Sequence, residues 1–358
     1  MKKWGFLGLA LAVSLGACAT PPETESTDTS EGGDAGETTA AAGDSRLDAV
    51  QARGTLVCGV EGTIPGFSSV ESDGSYTGLD VDVCRAVAVA VLGDPEAVEY
   101  RNLDSTERFT ALRGGEVDML SRNTTWTLSR DATGGNAMEF APTTFYDAQG
   151  MMVRTESGIT SLEDFEGRSI CVETGTTTEL NMTSRMTELG VNYQDVKYQD
   201  GNETAQAYIE ERCDGFTSDK SQLNARRTKF EDPDAHVILD VSMSKEPLGP
   251  VTMNNDSQWF DVVKWVTYGL IQAEEFGITQ DNVAEIAQST ENQDIKLLLG
   301  VEGDLGSQLG LENDFMVGVI EAVGNYGEIY ERNIGEDIPR GLNRLWTDGG
   351  IMYAPPFR

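Results

Sequence analysis

Short apolar segments alternate with helical patterns along this chain, and the alternation occurs twice in succession. Leu56 to Val60 is typical of a buried parallel strand, and Asp80 begins a helix that ends near Gly93. The pattern restarts with a strand over Arg168 to Val172 and a helix over Thr177 to Leu189. Two such series predict an α/β protein with two parallel-type sheets flanked by helices. Its ligand site is expected at the carboxyl ends of the strands, in the cleft between the two domains.

The remainder of the chain is predicted to be helical. Beyond Pro250, apolar residues recur at helical spacing from Trp259 to Phe276 and again from Asp281 to Leu299. These helices are expected to pack on a core rather than on a partner. The length of 358 residues also exceeds what one compact core usually contains, which favours two domains.

The first 45 residues have the composition of an export signal followed by a linker. Lys2 and Lys3 precede an apolar run of signal-peptide length, which ends at Cys18 in a context resembling the bacterial lipobox. Residues 1–18 are therefore interpreted as a lipoprotein signal peptide, with ordinary signal cleavage as the alternative. Residues 19–45 carry seven carboxylates and no basic residue, which predicts a disordered acidic linker. The protein is expected in the periplasm or on the outer face of the cell membrane, in contact with the membrane only through a lipid on Cys18.

Four further cysteines are present, an even number for an oxidising compartment. Two precede the middle of the chain and two follow it, which fits one disulfide per domain: Cys58 with Cys84, and Cys171 with Cys213. Four buried free thiols are the alternative. No pair of cysteines has metal-ligand spacing, and the only histidine, His236, is interpreted as a strand-end residue, so neither a metal nor another cofactor is expected.

Charge and motifs exclude several classes of function. The formal net charge of -34 would repel a nucleic-acid backbone, so no nucleic-acid partner is expected. The chain also lacks a nucleophile elbow and a phosphate-binding P-loop, and a single histidine leaves no usual catalytic triad. The sequence thus favours a binding protein over an enzyme.

Hydrogen-bonding residues cluster where predicted strands end. Ser121 to Arg130 follows one strand, Gly175 to Glu179 follows another, and Ser218-Asp219 follows a third. A free amino acid presents a carboxylate that suits a guanidinium and helix-start amides, and an ammonium that suits a carboxylate. The clusters supply these groups. A cleft that binds a free amino acid is therefore predicted.

A resemblance to the polar amino-acid-binding proteins of ABC transporters is carried by Gly78 to Asp82, Ser121 to Arg130, Gly175 to Thr177 and Asp214 to Asp219. Five segments extend the match to one branch of that family: Cys58 to Val60, Leu120 to Asp131, Lys245 to Pro250, Ala322 to Glu328 and Tyr353 to Pro356. Together they resemble the general L-amino-acid-binding proteins, a branch of solute-binding protein family 3 of polar amino-acid ABC transporters. The similarity covers nearly everything from Ala49 to Arg358. It implies a two-lobed periplasmic-binding-protein fold of type II, with a hinge and a helical C-terminal extension.

The resemblance also implies roles for individual residues. Arg130 is expected to bind the α-carboxylate of the ligand, assisted by Thr125 and by Thr177 from the second domain. Asp219 is expected to bind the α-ammonium together with Asn123. A pocket that binds the α-carboxylate and the α-ammonium, which all L-amino acids share, and makes few contacts with the ligand side chain is expected to accept many L-amino acids.

Two further residues are expected near the ligand side chain. Glu61 lies close to the position where binders of basic amino acids carry an acid, so it is expected to favour basic or polar ligands. Trp126 is expected at the mouth of the cleft, with a packing role as the alternative. Aromatic residues found in the wider family are replaced here by Ile64 and Ser105.

The predicted organisation follows from the resemblance. Residues 46–147 and 251–358 form lobe 1 with its helical extension, and residues 148–250 form lobe 2, with hinges near 146–152 and 244–252. The expected function is capture of free L-amino acids by a monomer that delivers them to the permease subunits of an ABC transporter. A cyclohexadienyl dehydratase-like enzyme on the same fold and a subunit of an amino-acid sensor are the alternatives.

Overall fold

The computed structural model describes residues 45–335 and 338–358. The predicted signal peptide, the lipidation site at Cys18 and all but the last residue of the predicted linker lie outside these residues. That last residue, Ser45, caps the first helix, because its hydroxyl oxygen accepts a hydrogen bond from Leu47 N.

In chain order, the strands are β1 Leu56–Val60, β2 Thr63–Ile64, β3 Ser68–Val70, β4 Tyr76–Thr77, β5 Val98–Asn102, β6 Met119–Thr125, β7 Met138–Phe140, β8 Phe145–Asp147, β9 Gln149–Arg154, β10 Ser169–Glu173, β11 Gln194–Tyr198, β12 Gly215–Asp219, β13 His236–Ile238 and β14 Glu246–Met253. The α-helices are α1 Arg46–Arg53, α2 Leu79–Leu92, α3 Arg108–Gly114, α4 Leu128–Asp131, α5 Thr177–Leu189, α6 Gly201–Ile209, α7 Lys220–Arg227, α8 Ser257–Glu275, α9 Val283–Ser289, α10 Gln293–Leu298, α11 Leu305–Leu309, α12 Phe315–Val323 and α13 Tyr326–Asn333. Among the described residues, no helix has the length and apolar character needed to cross a membrane.

The first large sheet has the strand order β5-β1-β6-β14-β7, with β8 paired to β14. Strand β1 lies parallel to β5 and β6, whereas β14 runs antiparallel to β6, β7 and β8. All five residues of β1 are buried, as its continuous apolar run predicts. Helices α8, α12 and α13 pack against α2 and enclose a core around the buried Trp259, so the predicted C-terminal helices belong to this sheet.

The second large sheet has the order β11-β10-β12-β9-β13. Its strand β10 lies parallel to β11 and β12, and β9 runs antiparallel to β12 and β13. Helix α5 has the bounds that the sequence predicts, because the hydroxyl oxygen of Thr176 accepts from Glu179 N at its start and Gly190 ends it in the left-handed conformation. His236 begins β13, and its Nδ1 lies 2.9 Å from Tyr208 Oη.

Each sheet carries one disulfide bond. Cys58 of β1 is joined to Cys84 of α2, and Cys171 of β10 is joined to Cys213 in the loop before β12. Each bond ties a strand to the segment that packs beside it. The pairing is the one that fits one disulfide per domain.

The chain passes between the sheets at two places. Only Ala148 separates β8 of the first sheet from β9 of the second, and residues 239–245 separate β13 from β14. Residues 246–250, expected in lobe 2, thus lie in a strand of the first sheet. Pro250 is accommodated because the register of β14 against β6 shifts between Gly249 and Val251. The lobe boundaries themselves stay a prediction. We call the first sheet, with the helices packed on it, the first half of the molecule, and the second sheet, with its helices, the second half.

Candidate functional site

A narrow cavity lies between the two halves. It is lined by Glu61, Ile64, Arg108, Arg122, Asn123, Thr125 and Arg130 from the first half, and by Glu173, Thr176, Thr177, Thr178, Ser218, Asp219 and Gln222 from the second. The lining residues at the ends of β6 and β12 lie at the carboxyl ends of their strands, where ligands of α/β proteins bind.

The wall from the first half is built on the end of β6. Asn123 has a φ of 35°, an uncommon conformation for a residue other than glycine. The carboxylate of Asp80 stabilises it by accepting from Asn123 N at 2.9 Å and from Ser121 Oγ at 3.1 Å. The sequence predicts that Asp80 begins its helix, but the helix starts directly after Gly78, and the Asp80 carboxylate instead supports the neighbouring strand.

Arg130 lies in α4, which begins where the backbone leaves β6. Its side chain is only 7% exposed, and its Nη1 donates to Thr125 O at 2.8 Å. Burial lowers the pKa of Arg130 to about 10, opposed in part by the charge of Glu246. The guanidinium therefore stays charged at neutral pH.

The wall from the second half ends in Asp219, the last residue of β12. Gln222 Nε2 donates to its Oδ2 at 3.0 Å, whereas its buried Oδ1 has no hydrogen-bond partner among the described residues. The Oδ1 of Asn123, on the opposite wall, is also buried and also lacks a described partner. Burial, together with the charges of Asp147 and Glu246, raises the pKa of Asp219 well above its ordinary value.

Glu246 joins the two halves behind this cavity. Its buried carboxylate accepts from Thr125 Oγ1 at 2.6 Å, from Thr177 Oγ1 at 2.9 Å and from Asn181 Nδ2 at 2.8 Å, and Ser244 Oγ also donates to it. Thr125 belongs to the first half, and Thr177 and Asn181 to the second. A threonine hydroxyl has one proton to donate, so neither threonine can also donate it to a ligand in this arrangement.

Further contacts cross the rim of the cavity. Ser105 Oγ lies 2.8 Å from Thr174 O and is also within hydrogen-bond distance of the Glu173 carboxylate, so it can donate to either, and Gln199 Nε2 donates to Thr106 Oγ1 at 2.8 Å. Gly175 makes such close approach possible, because a Cβ there would lie 2.9 Å from Thr106 Cγ2. The two halves thus touch each other on more than one side of the cavity.

Six of the seven expected ligand-binding residues line the cavity: Arg130, Asp219, Thr125, Thr177, Asn123 and Glu61. Trp126 does not. Its ring is 46% exposed, stacks on Phe140 and donates its indole N–H to Asp131 at 3.2 Å, because the residue after the strand turns outward. Sequence reasoning missed Arg108 and Glu246.

Glu61 is present in the cavity but is already paired. It forms an ion pair with Arg226 at 3.4 Å and accepts from Thr63 N and Thr63 Oγ1. The charge of Glu61 is thus balanced within the protein, and its expected preference for basic or polar ligands stays a prediction. Across the described ranges, no cluster of three or more histidine, cysteine or acidic residues has the arrangement of a metal site.

The sequence profile of the bacterial extracellular solute-binding proteins, family 3, matches residues 56–305. The chain belongs to this family. It is 49% identical over 324 residues to the general L-amino acid-binding periplasmic protein AapJ of Rhizobium johnstonii, covering 89% of this chain and 94% of that protein. It is 48% identical over 322 residues to the glutamate/glutamine/aspartate/asparagine-binding protein BztA of Rhodobacter capsulatus, covering 89% and 95%.

A solved family member confirms the fold. The periplasmic binding protein of an ABC transporter from Brucella ovis, solved with glutathione bound, superposes with a TM-score of 0.85 at 46% identity, covering 88% of this chain and all of that chain. Its similarity supports the predicted two-lobed α/β architecture of a type II periplasmic binding protein. The family and these relatives are binding proteins rather than enzymes, so the dehydratase alternative has no support.

Proposed function

We propose that this family member captures free L-amino acids of many kinds in the cavity between its halves and delivers them to the permease of an ABC transporter. The proposal rests on one observation above all. The cavity holds two buried oxygen acceptors without described partners, on Asp219 and Asn123, and also a buried guanidinium, on Arg130. These are the groups that the two charged ends of an amino acid require.

The α-ammonium would be bound between the two walls. It has three N–H donors, and the unpartnered Oδ1 atoms of Asp219 and Asn123 are acceptors contributed by opposite halves. A buried acceptor without a partner is costly, so a ligand that donates to both acceptors would be stabilised by the hydrogen bonds that it forms with them. The same ligand would connect the second half to the first.

The α-carboxylate would meet Arg130 and the start of α5. The first-turn N–H groups of a helix have no partner within that helix and carry a partial positive charge, which suits an anion. Thr176 caps α5, and Thr177 is its first residue. Since the hydroxyls of Thr125 and Thr177 donate to Glu246, we assign these threonines to holding the walls together rather than to donating to the ligand.

Broad specificity follows because the assigned residues bind the ammonium and the carboxylate of the ligand rather than its side chain. The groups assigned to the ligand ends recognise atoms that every L-amino acid carries. Capture would stabilise the arrangement in which the halves touch, because the ligand makes its full set of contacts only there. The permease would then recognise the ligand-bound arrangement, in which the two halves touch.

The protein would work outside the cytoplasm as a monomer. Family 3 consists of extracellular solute-binding proteins. We further propose that Cys18 is lipidated after signal cleavage and that the acidic segment following it separates the folded part from the membrane surface.

The test is isothermal titration of the purified protein with each of the twenty L-amino acids. We expect several to bind, and Arg130→Ala and Asp219→Asn each to weaken all of them by more than about 100-fold, because charge-assisted hydrogen bonds are lost. Arg113→Ala, which removes an exposed arginine outside the cavity, is the matched control and should bind as the wild type does. Near-normal affinity of a folded Arg130→Ala protein would refute the assignment.

A further inference from the structure

Strand β8 lies at the edge of the first sheet and leads directly into the first passage between the halves. It pairs only with β14, so the backbone groups on its other side have no strand partner among the described residues. Buried backbone groups at such an edge need hydrogen-bond partners from elsewhere in the protein. The residues that supply these partners therefore determine how firmly the first half holds the chain before it crosses.

Asn343 takes the place of a neighbouring strand residue beside Tyr146. Its Oδ1 accepts from Tyr146 N at 2.7 Å, and its Nδ2 donates to Tyr146 O at 3.2 Å. A side-chain amide carries the same donor and acceptor as a peptide group, so one asparagine satisfies both edge groups of one strand residue. Asn343 is itself buried, which limits competition from water.

Two tyrosines of α13 contact the start of β8. Tyr326 Oη donates to Thr144 O at 2.7 Å, and the ring of Tyr330 lies parallel to the ring of Phe145, with 6.1 Å between their centres. Both tyrosines are buried. Together with Asn343 they contact three consecutive residues of the chain. We call Tyr326, Tyr330 and Asn343 the C-terminal anchor.

The C-terminal anchor is itself fixed to the first half. Arg340 donates to both oxygens of the Glu274 carboxylate on α8, at 2.6 and 3.0 Å, and to Asn343 O at 2.9 Å. Its guanidinium also lies over the rings of Tyr326 and Tyr330, 5.3 and 5.1 Å from their centres. A bidentate ion pair has a defined geometry, so Arg340 holds the anchor in one position relative to α8.

The next two residues of the chain contact the second half. Asp147 Oδ2 accepts from Ser221 N at 3.2 Å, and Ala148 O accepts from Lys220 N at 2.9 Å, both at the start of α7. Contacts with the C-terminal anchor thus end at Tyr146, and contacts with the second half begin at Asp147. A relative motion of the halves would be absorbed by the few dihedral angles at this junction.

We propose that the C-terminal anchor positions β8 for ligand capture by confining bending of the first passage to the junction of Tyr146 and Asp147. This inference rests on the proposed function, in which the ligand brings the halves together. None of the three anchor residues lines the cavity, and all three lie beyond the residues 56–305 that the family profile matches. With β8 held in advance, few backbone conformations are lost when a ligand binds, so ordering of the chain offsets little of the binding free energy.

The test is isothermal titration of the purified wild type and of Asn343→Ala with glutamate, glutamine and leucine. Without the Asn343 side chain, the backbone at Tyr146 is free before binding and must be ordered on binding. We expect every affinity to fall by the same factor, about tenfold, because about one residue is ordered whichever ligand binds. The ratios between the affinities should not change, because the cavity lining is untouched.

Asn313→Ala is the matched control. Asn313 also lies beyond the residues that the family profile matches, and its side chain also makes two hydrogen bonds, with the backbone N–H and the hydroxyl of Ser307. It makes no hydrogen bond with β8 among the described residues. Its loss should therefore leave all three affinities unchanged.

Hydrogen exchange at β8 gives a second measurement that a general loss of stability would not reproduce. Without ligand, the Tyr146 amide should exchange faster in Asn343→Ala than in the wild type, because its acceptor is lost. Addition of glutamine should restore much of the protection. In Asn313→Ala, exchange at Tyr146 should match the wild type.

The outcomes separate this inference from the proposed function. A wild type that binds none of the three ligands overturns the proposed function and this inference with it. If the wild type binds them, an unchanged affinity of folded Asn343→Ala overturns the positioning role alone. So does a loss that differs among the ligands or that Asn313→Ala shares.

Tyr326→Phe replaces Asn343→Ala if that protein does not fold. It keeps the ring and removes only the hydrogen bond to Thr144 O. A smaller fall, shared equally by the three ligands, is then expected. Unchanged affinities would overturn the positioning role.

Discussion

Replacement of the buried Asp80 by asparagine should stabilise the protein at pH 8 and leave its binding site intact. The carboxylate is 3% exposed and accepts hydrogen bonds from Ser121 Oγ and from Asn123 N. An asparagine at this position can accept from Asn123 N with its carbonyl and donate to the Ser121 hydroxyl with its amide. The substitution therefore removes a charge while the contacts that shape the Asn123 backbone can be kept.

The magnitude follows from the pKa of Asp80, which burial raises from 3.8 to about 7. Between these values the unfolded chain is ionised while the folded protein still holds the proton, so wild-type stability falls as the pH rises through this window. This loss of folding free energy is complete above pH 7 and amounts to about 4 kcal/mol, since each pKa unit corresponds to about 1.36 kcal/mol. At pH 5 it is only about 2 kcal/mol. Asp80→Asn does not lose this free energy, because asparagine does not ionise.

Urea unfolding of the wild type and of Asp80→Asn at pH 8 and pH 5 measures this difference. We expect the variant to be more stable at pH 8, by up to about 4 kcal/mol, with roughly half of the gain at pH 5. Asp82→Asn is the control of opposite sign, because Asp82 lies on the same helix and is paired with Arg332 at 2.7 Å. An Asp80→Asn protein less stable than the wild type at pH 8, or a gain that does not change with pH, would contradict the reasoning.

Two other predictions concern the cavity. The affinity for glutamine should increase from pH 5 towards pH 8, by up to about tenfold per pH unit, because Asp219, with its raised pKa, must lose a proton before it accepts an ammonium. Calorimetric titrations in buffers of different ionisation enthalpy should detect the released proton. An affinity that does not change with pH, without proton release, would argue against this role of Asp219. Gly175→Ala should weaken ligand binding about tenfold, since Gly175 has a φ of 74° and the added methyl would meet Thr106 Cγ2 of the other half. Thr106→Ser in the same protein should restore part of the affinity. Full affinity of the Gly175→Ala variant would count against a close approach of the two halves at Gly175.

Much of the fold could be predicted from local signals. Strand β1 is a continuous apolar run, and α5 has a hydroxyl cap at its start and a glycine at its end. Where local signals conflict, prediction failed. The apolar spacing predicts one helix from Asp281 to Leu299, but the backbone leaves the helical conformation at Thr290. Pro247, Gly249 and Pro250 usually interrupt strands, yet they lie within β14; the hinge expected near them stays a prediction.

The site was predictable where a residue's place in the chain reveals its function. Asp219 and Asn123 lie at the ends of strands, which topology brings to one edge. Arg108 gave no such signal, since an arginine in the first turn of a short helix is ordinarily solvated. Glu246 contacts Thr125 from 121 residues away in the chain, a pairing that no local pattern contains. Burial and long-range contacts had to come from the folded structure.

The single residue between β8 and β9 limits how chains of this design can vary in length. Successive side chains of a strand face opposite sides of its sheet, so one inserted residue beside Ala148 would send the buried side chains of β9 to the wrong face. The seven residues between β13 and β14 lack this restriction. Insertions should therefore be rejected at the first passage and tolerated better at the exposed Asp240 of the second, away from Ser244, which donates to Glu246.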